Sequence, residues 1–209
     1  GRDQQVYIGK DESSSPTVRT HALFAICVLI AIQGRKQAVV DIPCAFLQSD
    51  YPKDQEAYLR FTGVMVDMIL MIKPEYKRFV KTTKTGSKYL IAKLKKAVYG
   101  TLLATMLFYK KLKKHLESNG FEMNPYDLCT FNKMVNGQQC TIQFHVDDLL
   151  ISHIDLGVIK DVIDTLNAEF GGIRKLVSEY GPILDYLGMV IDFSVQGKVM
   201  FTMFYYLQD

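Results

Sequence analysis

Two adjacent aspartates, Asp147 and Asp148, stand in the middle of a run of strand-forming residues, QFHVDDLLIS, at positions 143–152. A third aspartate, Asp41, ends another strand-like segment, AVVD, and lies 106 residues before Asp147. Carboxylate oxygens are hard ligands that Mg²⁺ prefers, and proteins often share this ion between a few carboxylates and substrate phosphates. Three carboxylates gathered at strand ends could hold two such ions and support an in-line displacement at phosphorus.

Other readings of these aspartates are open at this point. Aspartate is among the commonest turn residues, so a hairpin tip at Asp147 and Asp148 is also explained as an ordinary turn. A metal-dependent phosphohydrolase would use the same carboxylates, but it would need more histidine ligands than this chain offers. The sequence alone does not show that Asp41 meets Asp147, because only a tertiary fold can bring them together.

The composition is that of a globular protein. Apolar residues make up 48% of the 209 residues, which is enough for a substantial core. The longest apolar run, ALFAICVLIAI at 22–32, has eleven residues, so it is too short to span a bilayer and predicts a core helix. The cysteines form no C-x-x-C pair and are expected to be buried, reduced thiols of an intracellular protein (Cys27, Cys44, Cys129 and Cys140).

The charge is unevenly distributed, although the net charge is only +3. Residues 73–115 hold thirteen Lys and Arg against one acid, Glu75, which gives this block a charge of +12. The remainder holds twelve Lys and Arg against twenty-one acids, which gives −9. Such a basic block suits a face that grips a polyanion, and a solvated, lysine-rich helix explains it equally well.

The periodicity of apolar residues predicts both helices and strands. Helices are predicted over 17–33, 64–80, 101–119 and 155–170. Strands are predicted over 37–42, 56–61, 88–94 and 149–152. One hairpin should turn at Asn136-Gly137, and a second, within 185–204, should turn at Gln196-Gly197. This order predicts an α+β fold in which helices cover one face of an antiparallel sheet.

Five stretches resemble, in the same order, the reverse transcriptase domain of copia-type (Ty1/copia) LTR retrotransposons. SPTVRTHALFAI resembles the segment before the first catalytic strand, and VVDIPCAFLQSDYPKDQEAYLRF resembles the motif in which an aspartate is followed by an alanine-aromatic pair. KLKKAVYGTLLATMLFYKKLKKHLESNGFEMNPYDLCTF resembles the family's long helix and its sequel. FHVDDLLIS resembles the tyrosine-valine-aspartate-aspartate motif, and DYLGMVIDF resembles the primer-grip hairpin. Together these stretches cover most of residues 15–204.

The resemblance implies a right-hand polymerase palm with part of the fingers, over 17–209, behind a polar lead-in over 1–16. It implies RNA-directed DNA synthesis by two-metal-ion catalysis. Asp41 and Asp147 would be the principal ligands of two Mg²⁺ ions, for which Mn²⁺ can substitute, and Asp148 would be the third acid. The metal ions would neutralise the adjacent like charges, and without metal the repulsion should raise one carboxyl pKa.

The resemblance also implies a nucleotide site next to these acids. Phe46 would be the aromatic gate that rejects ribonucleotides, because its ring would fill the space that a ribose 2′-OH needs. The backbone of residues 42–45 would line the triphosphate (Ile42, Pro43, Cys44 and Ala45). Lys175 would lie near the leaving pyrophosphate. Leu103 stands where the family usually has the glutamine that contacts template and incoming nucleotide, which alters this site.

Primer and template contacts follow from the same resemblance. His145, in place of the usual tyrosine, and Val146 would lie against the primer end. Leu187, Gly188 and Met189 would position the primer backbone. Lys110 and Lys114 would face nucleic acid phosphates, although a solvated helix face is an equal alternative.

The sequence therefore leaves two candidate functions. One is an RNA-directed DNA polymerase domain, with an RNA template, a nucleic acid primer, dNTPs and an RNA/DNA hybrid product as partners. The other is a truncated or decayed, catalytically inactive palm that only binds nucleic acid. The chain is expected to be a fragment of a polyprotein whose remainder holds the thumb, RNase H and integrase. A cytoplasmic virus-like particle and the nucleus are the expected locations, with no membrane partner.

Overall fold

A computed structural model describes residues 15–101 and 103–203. The predicted lead-in therefore lies almost entirely outside the described residues. The described α-helices are α1 (Thr20–Gln33), α2 (Val64–Ile72), α3 (Ala104–Ser118) and α4 (Leu156–Phe170). Short 3-10 helices cover Ala45–Gln48 and Pro74–Phe79.

The strands are short, and all described pairings between them are antiparallel. They are β1 (Lys36–Asp41), β2 (Tyr58–Thr62), β3 (Lys81–Thr82), β4 (Lys88–Lys93), β5 (Glu122–Asn124), β6 (Asp127–Val135), β7 (Gln138–His145), β8 (Asp148–His153), β9 (Val177–Tyr180), β10 (Ile183–Tyr186), β11 (Met189–Asp192) and β12 (Met200–Thr202). A central sheet has the order β5-β6-β7-β8-β1-β9. Two smaller sheets have the orders β2-β4-β3 and β10-β11-β12.

One face of the central sheet is apolar and packs against α3 and α4. Phe144 of β7 is buried on this face, and its ring centroid lies 5.9 Å from that of Tyr109 on α3. The two helices meet through Phe108 and Phe170, whose ring centroids are 5.9 Å apart. Because full burial of one such side chain is worth about 1.5–3 kcal/mol, this layer contributes strongly to stability.

The opposite face of the sheet is polar but largely covered. Thr141 and Ser152 are fully buried there, and the guanidinium of Arg35 donates hydrogen bonds to their hydroxyl oxygens at 3.1 and 3.5 Å. Arg35 lies two residues beyond the end of α1, so the end of α1 lies against this face. The β10–β12 sheet covers another part of it, where the Tyr186 hydroxyl donates to the backbone oxygen of Asp148 at 3.3 Å.

Most predicted elements are confirmed, but the hairpin predicted within 185–204 is part of a three-stranded sheet, in which the chain turns first at Leu187-Gly188 and again between β11 and β12, where Gln196-Gly197 lies. The predicted hairpin turns at Asn136 and Gly137, which both have positive φ, as a two-residue hairpin turn requires. Asp155 caps α4 by accepting a hydrogen bond from the Gly157 N–H at 2.8 Å. The α+β fold class is confirmed, but the helices do not all cover one face of the sheet as predicted, because α1 lies against the polar face. All four cysteines are free thiols. No helix among the described residues is long and apolar enough to cross a membrane.

Two predictions about helices are wrong in part. The predicted helix over 64–80 ends at Ile72 and resumes as a 3-10 helix at Pro74, because proline disfavours helical geometry in the residue before it. The apolar run 22–32 was predicted to be a core helix, yet Val28 and Ile32 are 44% and 64% exposed. Only one side of a helix can touch the sheet beneath it, and in α1 that side is a narrow stripe (Leu23, Cys27, Ile30 and Ala31).

Candidate active site

The structure brings Asp41 next to the tandem aspartates. Asp41 is the last residue of β1, Asp148 is the first residue of β8, and the two are directly opposite in the strand register. Side chains of directly opposite residues lie on the same face of a sheet, with Cβ atoms roughly 4.5–5.5 Å apart. The backbone N–H of Ile42 extends this pairing by donating to the Asp147 carbonyl oxygen at 3.1 Å.

Asp147 lies in the two-residue turn that joins β7 to β8. His145 and Asp148 close this turn as a register pair, with Val146 and Asp147 between them. Val146 has φ of 61°, a left-handed conformation that is unusual for a β-branched residue and costs energy. A tight turn at this point keeps Asp147 beside Asp148 and at the sheet end where Asp41 lies.

The charges at this sheet end repel one another. Partial burial, followed by repulsion from Asp147, raises the pKa of Asp41, and Arg174 acts in the opposite direction. Burial also raises the pKa of Asp148, together with repulsion from Asp147 and Asp41, while His145 lowers it. Repulsion was predicted to raise one carboxyl pKa; the pKa values of two aspartates are raised, and burial is a larger cause than repulsion. A bound cation would oppose both effects.

Tyr99 connects this acid cluster to Phe46. Its hydroxyl donates a hydrogen bond to Oδ2 of Asp147 at 3.1 Å, and its ring centroid lies 4.2 Å from that of Phe46. Burial, then the neighbouring Asp147 charge and this hydrogen bond, raise the pKa of Tyr99 to about 12. The phenol therefore remains a hydrogen-bond donor at every pH at which the protein would work.

The residues predicted to line the nucleotide site lie close to Asp41 along the chain. Cys44, with φ of 57°, precedes the 3-10 helix that carries Ala45 and Phe46. Ile42, Pro43 and Ala45 are buried. The Ile42 N–H is already bonded to Asp147, so it is not free to bind a phosphate. Phe46 is only 6% exposed, because Tyr99 covers one side of its ring.

The predicted primer-grip segment forms the turn of the β10–β11 hairpin. Leu187 and Gly188 both have positive φ, and Tyr186 pairs with Met189 across the turn. Because the Tyr186 hydroxyl bonds to the backbone of Asp148, this hairpin is attached directly to the acid cluster. Its contact with a primer stays a prediction.

The predicted basic contacts lie in two different places. Lys175 is exposed in the loop before β9, two residues from Val177, which pairs with Asp41, so it lies near the acids. Lys110 and Lys114 are exposed on α3, on the side opposite its buried residues. Since α3 packs on the apolar face of the sheet and the acids project from the polar face, the structure does not bring these two lysines to the acids. Their contact with nucleic acid stays a prediction.

Sequence reasoning missed two residues at this site. Tyr99 lies in the segment AVYG and Arg174 precedes Lys175, but neither stands beside an aspartate in the sequence. A one-dimensional pattern carries no signal for a phenol 48 residues away from its carboxylate partner. The Arg174 charge acts on Asp41 only because β9 pairs with β1, which the sequence analysis did not predict.

The three carboxylates do not close around a common point as they are placed. Within 15–101 and 103–203, no group of three or more His, Cys, Asp and Glu side chains is arranged to hold a metal ion. The donor set nevertheless fits a hard cation, because Asp41 pairs with Asp148 across two strands and Asp147 precedes Asp148 in the chain. The pKa values of Asp41 and Asp148 are raised, and within the described part none of the three forms an ion pair with a basic side chain.

The family is established by comparison with known proteins. A family described as "Reverse transcriptase (RNA-dependent DNA polymerase)" matches residues 1–208, and the chain therefore belongs to the reverse transcriptase family. Over 192 residues it is 27% identical to the retrovirus-related Pol polyprotein from transposon TNT 1-94 of Nicotiana tabacum. The match covers 91% of this chain and 13% of that polyprotein. The predicted resemblance to a copia-type reverse transcriptase domain is confirmed.

Two solved telomerase structures are also similar to the chain. One is an apo telomerase from Candida tropicalis, with a TM-score of 0.41 and 12% identity over 88% of this chain and 40% of that one. The other is a telomerase from Candida albicans in complex with a fragment of telomeric RNA, with a TM-score of 0.44 and 12% identity over 91% of this chain and 36% of that one.

Proposed function

We propose that this chain is the palm, with part of the fingers, of an RNA-directed DNA polymerase, and that it adds dNTPs to a primer 3′-OH along an RNA template. The observation that supports this most directly is the register pairing of Asp41 with Asp148, beside Asp147 at the turn. An ordinary turn would explain the tandem aspartates alone, but it would not require a third carboxylate opposite them on another strand.

The three aspartates would hold two divalent cations, Mg²⁺ by preference. Bound there, such ions would lower the pKa of the attacking hydroxyl and stabilise the leaving pyrophosphate. Asp41 and Asp148 would supply oxygens from neighbouring strands, and Asp147 would supply its oxygen from the turn. Burial first, and mutual repulsion after it, raises the pKa values of Asp41 and Asp148, and bound cations would favour their charged forms.

Other residues around the acids would bind and select the substrates. Arg174 acts on Asp41, and together with Lys175, its neighbour in the chain, it would supply the positive charge that a triphosphate needs. Phe46, on which the Tyr99 ring packs, would form the wall that a ribose 2′-OH would strike. The hairpin turn at Leu187 would lie along the primer, with an RNA/DNA hybrid as the product. A cytoplasmic virus-like particle remains our proposed location.

A palm that only binds nucleic acid is the second candidate, and Leu103 favours it. The side chain at this position is 6% exposed and packs with Tyr51 and Ala57 in a small apolar cluster. A buried leucine cannot make the polar contact to template and nucleotide that the family's usual glutamine makes. Loss of that contact would weaken nucleotide selection while leaving the acids in place.

Primer extension on an RNA template, with Mg²⁺ or Mn²⁺, separates the two candidates. Asp147→Asn should lower extension by at least about 100-fold, because metal ligation supplies several kcal/mol of transition-state stabilisation. Asp164→Asn, at an exposed position of α4 away from the acids, should leave extension unchanged. Binding of a primer–template without extension, even with the flanking polyprotein segments present, would establish the second candidate instead.

A further inference from the structure

The position of Tyr99 is fixed by the backbone around it. Gly100 has φ of 87°, and the Thr101 N–H donates to the Val98 carbonyl at 3.1 Å, so residues 98–101 form a tight turn with Tyr99 at its corner. Just before this turn, the Ala97 N–H donates to the Ser49 carbonyl at 2.9 Å. The segment that carries Tyr99 is thereby attached to the end of the 3-10 helix that holds Phe46.

The ring of Tyr99 rests on the protein core, although the residue as a whole is 58% exposed. Its centroid is 4.2 Å from that of Phe46, and the Phe46 ring in turn lies 6.4 Å from the ring of buried Phe108. An aromatic ring seated in this way has little rotational freedom. Its hydroxyl is therefore delivered to one place, which is Oδ2 of Asp147.

We propose that Tyr99 is a positioning residue for Asp147: its hydroxyl holds one carboxylate oxygen so that the other is presented toward Asp41 and Asp148 for a divalent cation. This inference rests on the proposed role of Asp147 as a metal ligand. Asp147 needs such support because it lies in a turn, where no neighbouring strand fixes its side chain. Hydrogen bonds of this kind to metal-binding groups typically change metal affinity by about 10- to 100-fold.

The test measures binding of Mn²⁺ to the whole 209-residue chain. Binding is detected as a decrease in the electron paramagnetic resonance signal of free Mn²⁺. Tyr99→Phe keeps the ring on Phe46 and removes only the hydroxyl, so it should weaken Mn²⁺ binding about 10-fold. Tyr126→Phe is the matched control, because Tyr126 is 85% exposed, and this variant should bind Mn²⁺ like the wild type. Unchanged or tighter binding by Tyr99→Phe would overturn the proposal.

A double-mutant cycle separates positioning from a general structural effect. In an Asp147→Ala background, removal of the Tyr99 hydroxyl should have no further effect on Mn²⁺ binding, because its partner is absent. An equal loss in both backgrounds would show that Tyr99 acts on the fold rather than on Asp147, and so would contradict the proposal. A wild-type chain that binds no Mn²⁺ would contradict it as well.

Primer extension then distinguishes this inference from the proposed function. If the wild type extends primers, Tyr99→Phe should need about 10-fold more metal for half-maximal rate and should approach the wild-type rate when metal saturates. A reduced rate that saturating metal does not restore would overturn the positioning role. Mn²⁺ binding that depends on Tyr99 in a chain that never extends primers would support the positioning role and overturn the polymerase.

Discussion

Asp41 and Asp148 face each other across neighbouring antiparallel strands, β1 and β8, and this single register pair gathers the acids of the candidate site. The pair also defines a row across the sheet. His145 on β7 lies opposite Asp148, and Val177 on β9 lies opposite Asp41. Like charges at the centre of such a row are destabilising, which gives the first prediction.

The metal-free chain should be more stable when this charge is removed. Because the pKa values of Asp41 and Asp148 are raised in the folded state, the stability that they contribute is fully present only below their unfolded pKa values, about 4. It is lost as pH rises through the folded pKa values. Asp148→Asn should therefore raise the free energy of unfolding at pH 7, and this gain should shrink toward zero on acidification below about pH 4. Urea denaturation with EDTA at both pH values measures it.

The control for this prediction is Asp164→Asn, because Asp164 is exposed on α4 and far from the row. Acidification also removes the stability that carboxylates with lowered pKa values contribute to the protein, such as Asp50 beside Lys96. This loss is the same in both variants and in the wild type. A gain from Asp148→Asn that is the same at pH 7 and below pH 4 would show that repulsion is not its cause.

Backbone strain at the turn gives the second prediction. Val146 has φ of 61°, which glycine adopts without cost. Val146→Gly loses the core contacts of a half-buried valine, but it relieves about 1–3 kcal/mol of strain and should still stabilise the protein slightly. Val190→Gly, in β11, should destabilise it instead, since Val190 is not among the residues with positive φ. Thermal unfolding of both variants checks the opposite signs.

The dual position of Phe46, beside the acids and inside the core, gives the third prediction. Its ring is 6% exposed between Tyr99 and Phe108. Phe46→Ala should lower the free energy of unfolding by about 3 kcal/mol, whatever it does to the choice between dNTP and rNTP. Phe79→Ala, at a ring that is 51% exposed, should cost less than about 1 kcal/mol. A loss at Phe46 no greater than that at Phe79 would contradict its assignment to the core.

Local signals predicted much of this fold. The Asn136-Gly137 hairpin and the Asp155 cap depend on residues next to each other in the sequence, and both are confirmed. The exposed side of α1 was not predicted, because a helix that is apolar all round does not show which side meets the sheet. Strand β9, which pairs with β1 near Lys175, was missed because its pairing depends on tertiary contacts that the sequence does not show.

The sequence analysis predicted the acids of the candidate site, but it did not predict the residues that hold them in place. Tandem aspartates between strand formers and a third at a strand end are visible in the sequence, whereas their register is a tertiary property. Tyr99 illustrates the limit most clearly. It contacts Asp147 and Phe46, which lie 48 and 53 residues away, and no periodicity relates the three.

The last prediction concerns the basic block and its salt dependence. Lys81, Lys84 and Lys88 are exposed on and beside the β2-β4-β3 sheet, and none has an ion pair with another described residue. Lys110 and Lys114 project from α3 on the side away from the central sheet. Each lysine that neutralises a nucleic acid phosphate adds about 0.7–0.9 to the slope of log affinity against log salt.

We therefore expect the triple variant Lys81→Gln, Lys84→Gln, Lys88→Gln to reduce that slope by about 2 for an RNA/DNA primer–template. The double variant Lys110→Gln, Lys114→Gln tests the predicted contact of these two lysines: a duplex confined to the acids, which would not reach the far side of α3, would leave its slope within about 0.5 of the wild-type slope. Fluorescence anisotropy across a series of salt concentrations measures both slopes. A double variant that loses more than the triple variant would place the nucleic acid over α3, on the face of the sheet opposite to the three aspartates.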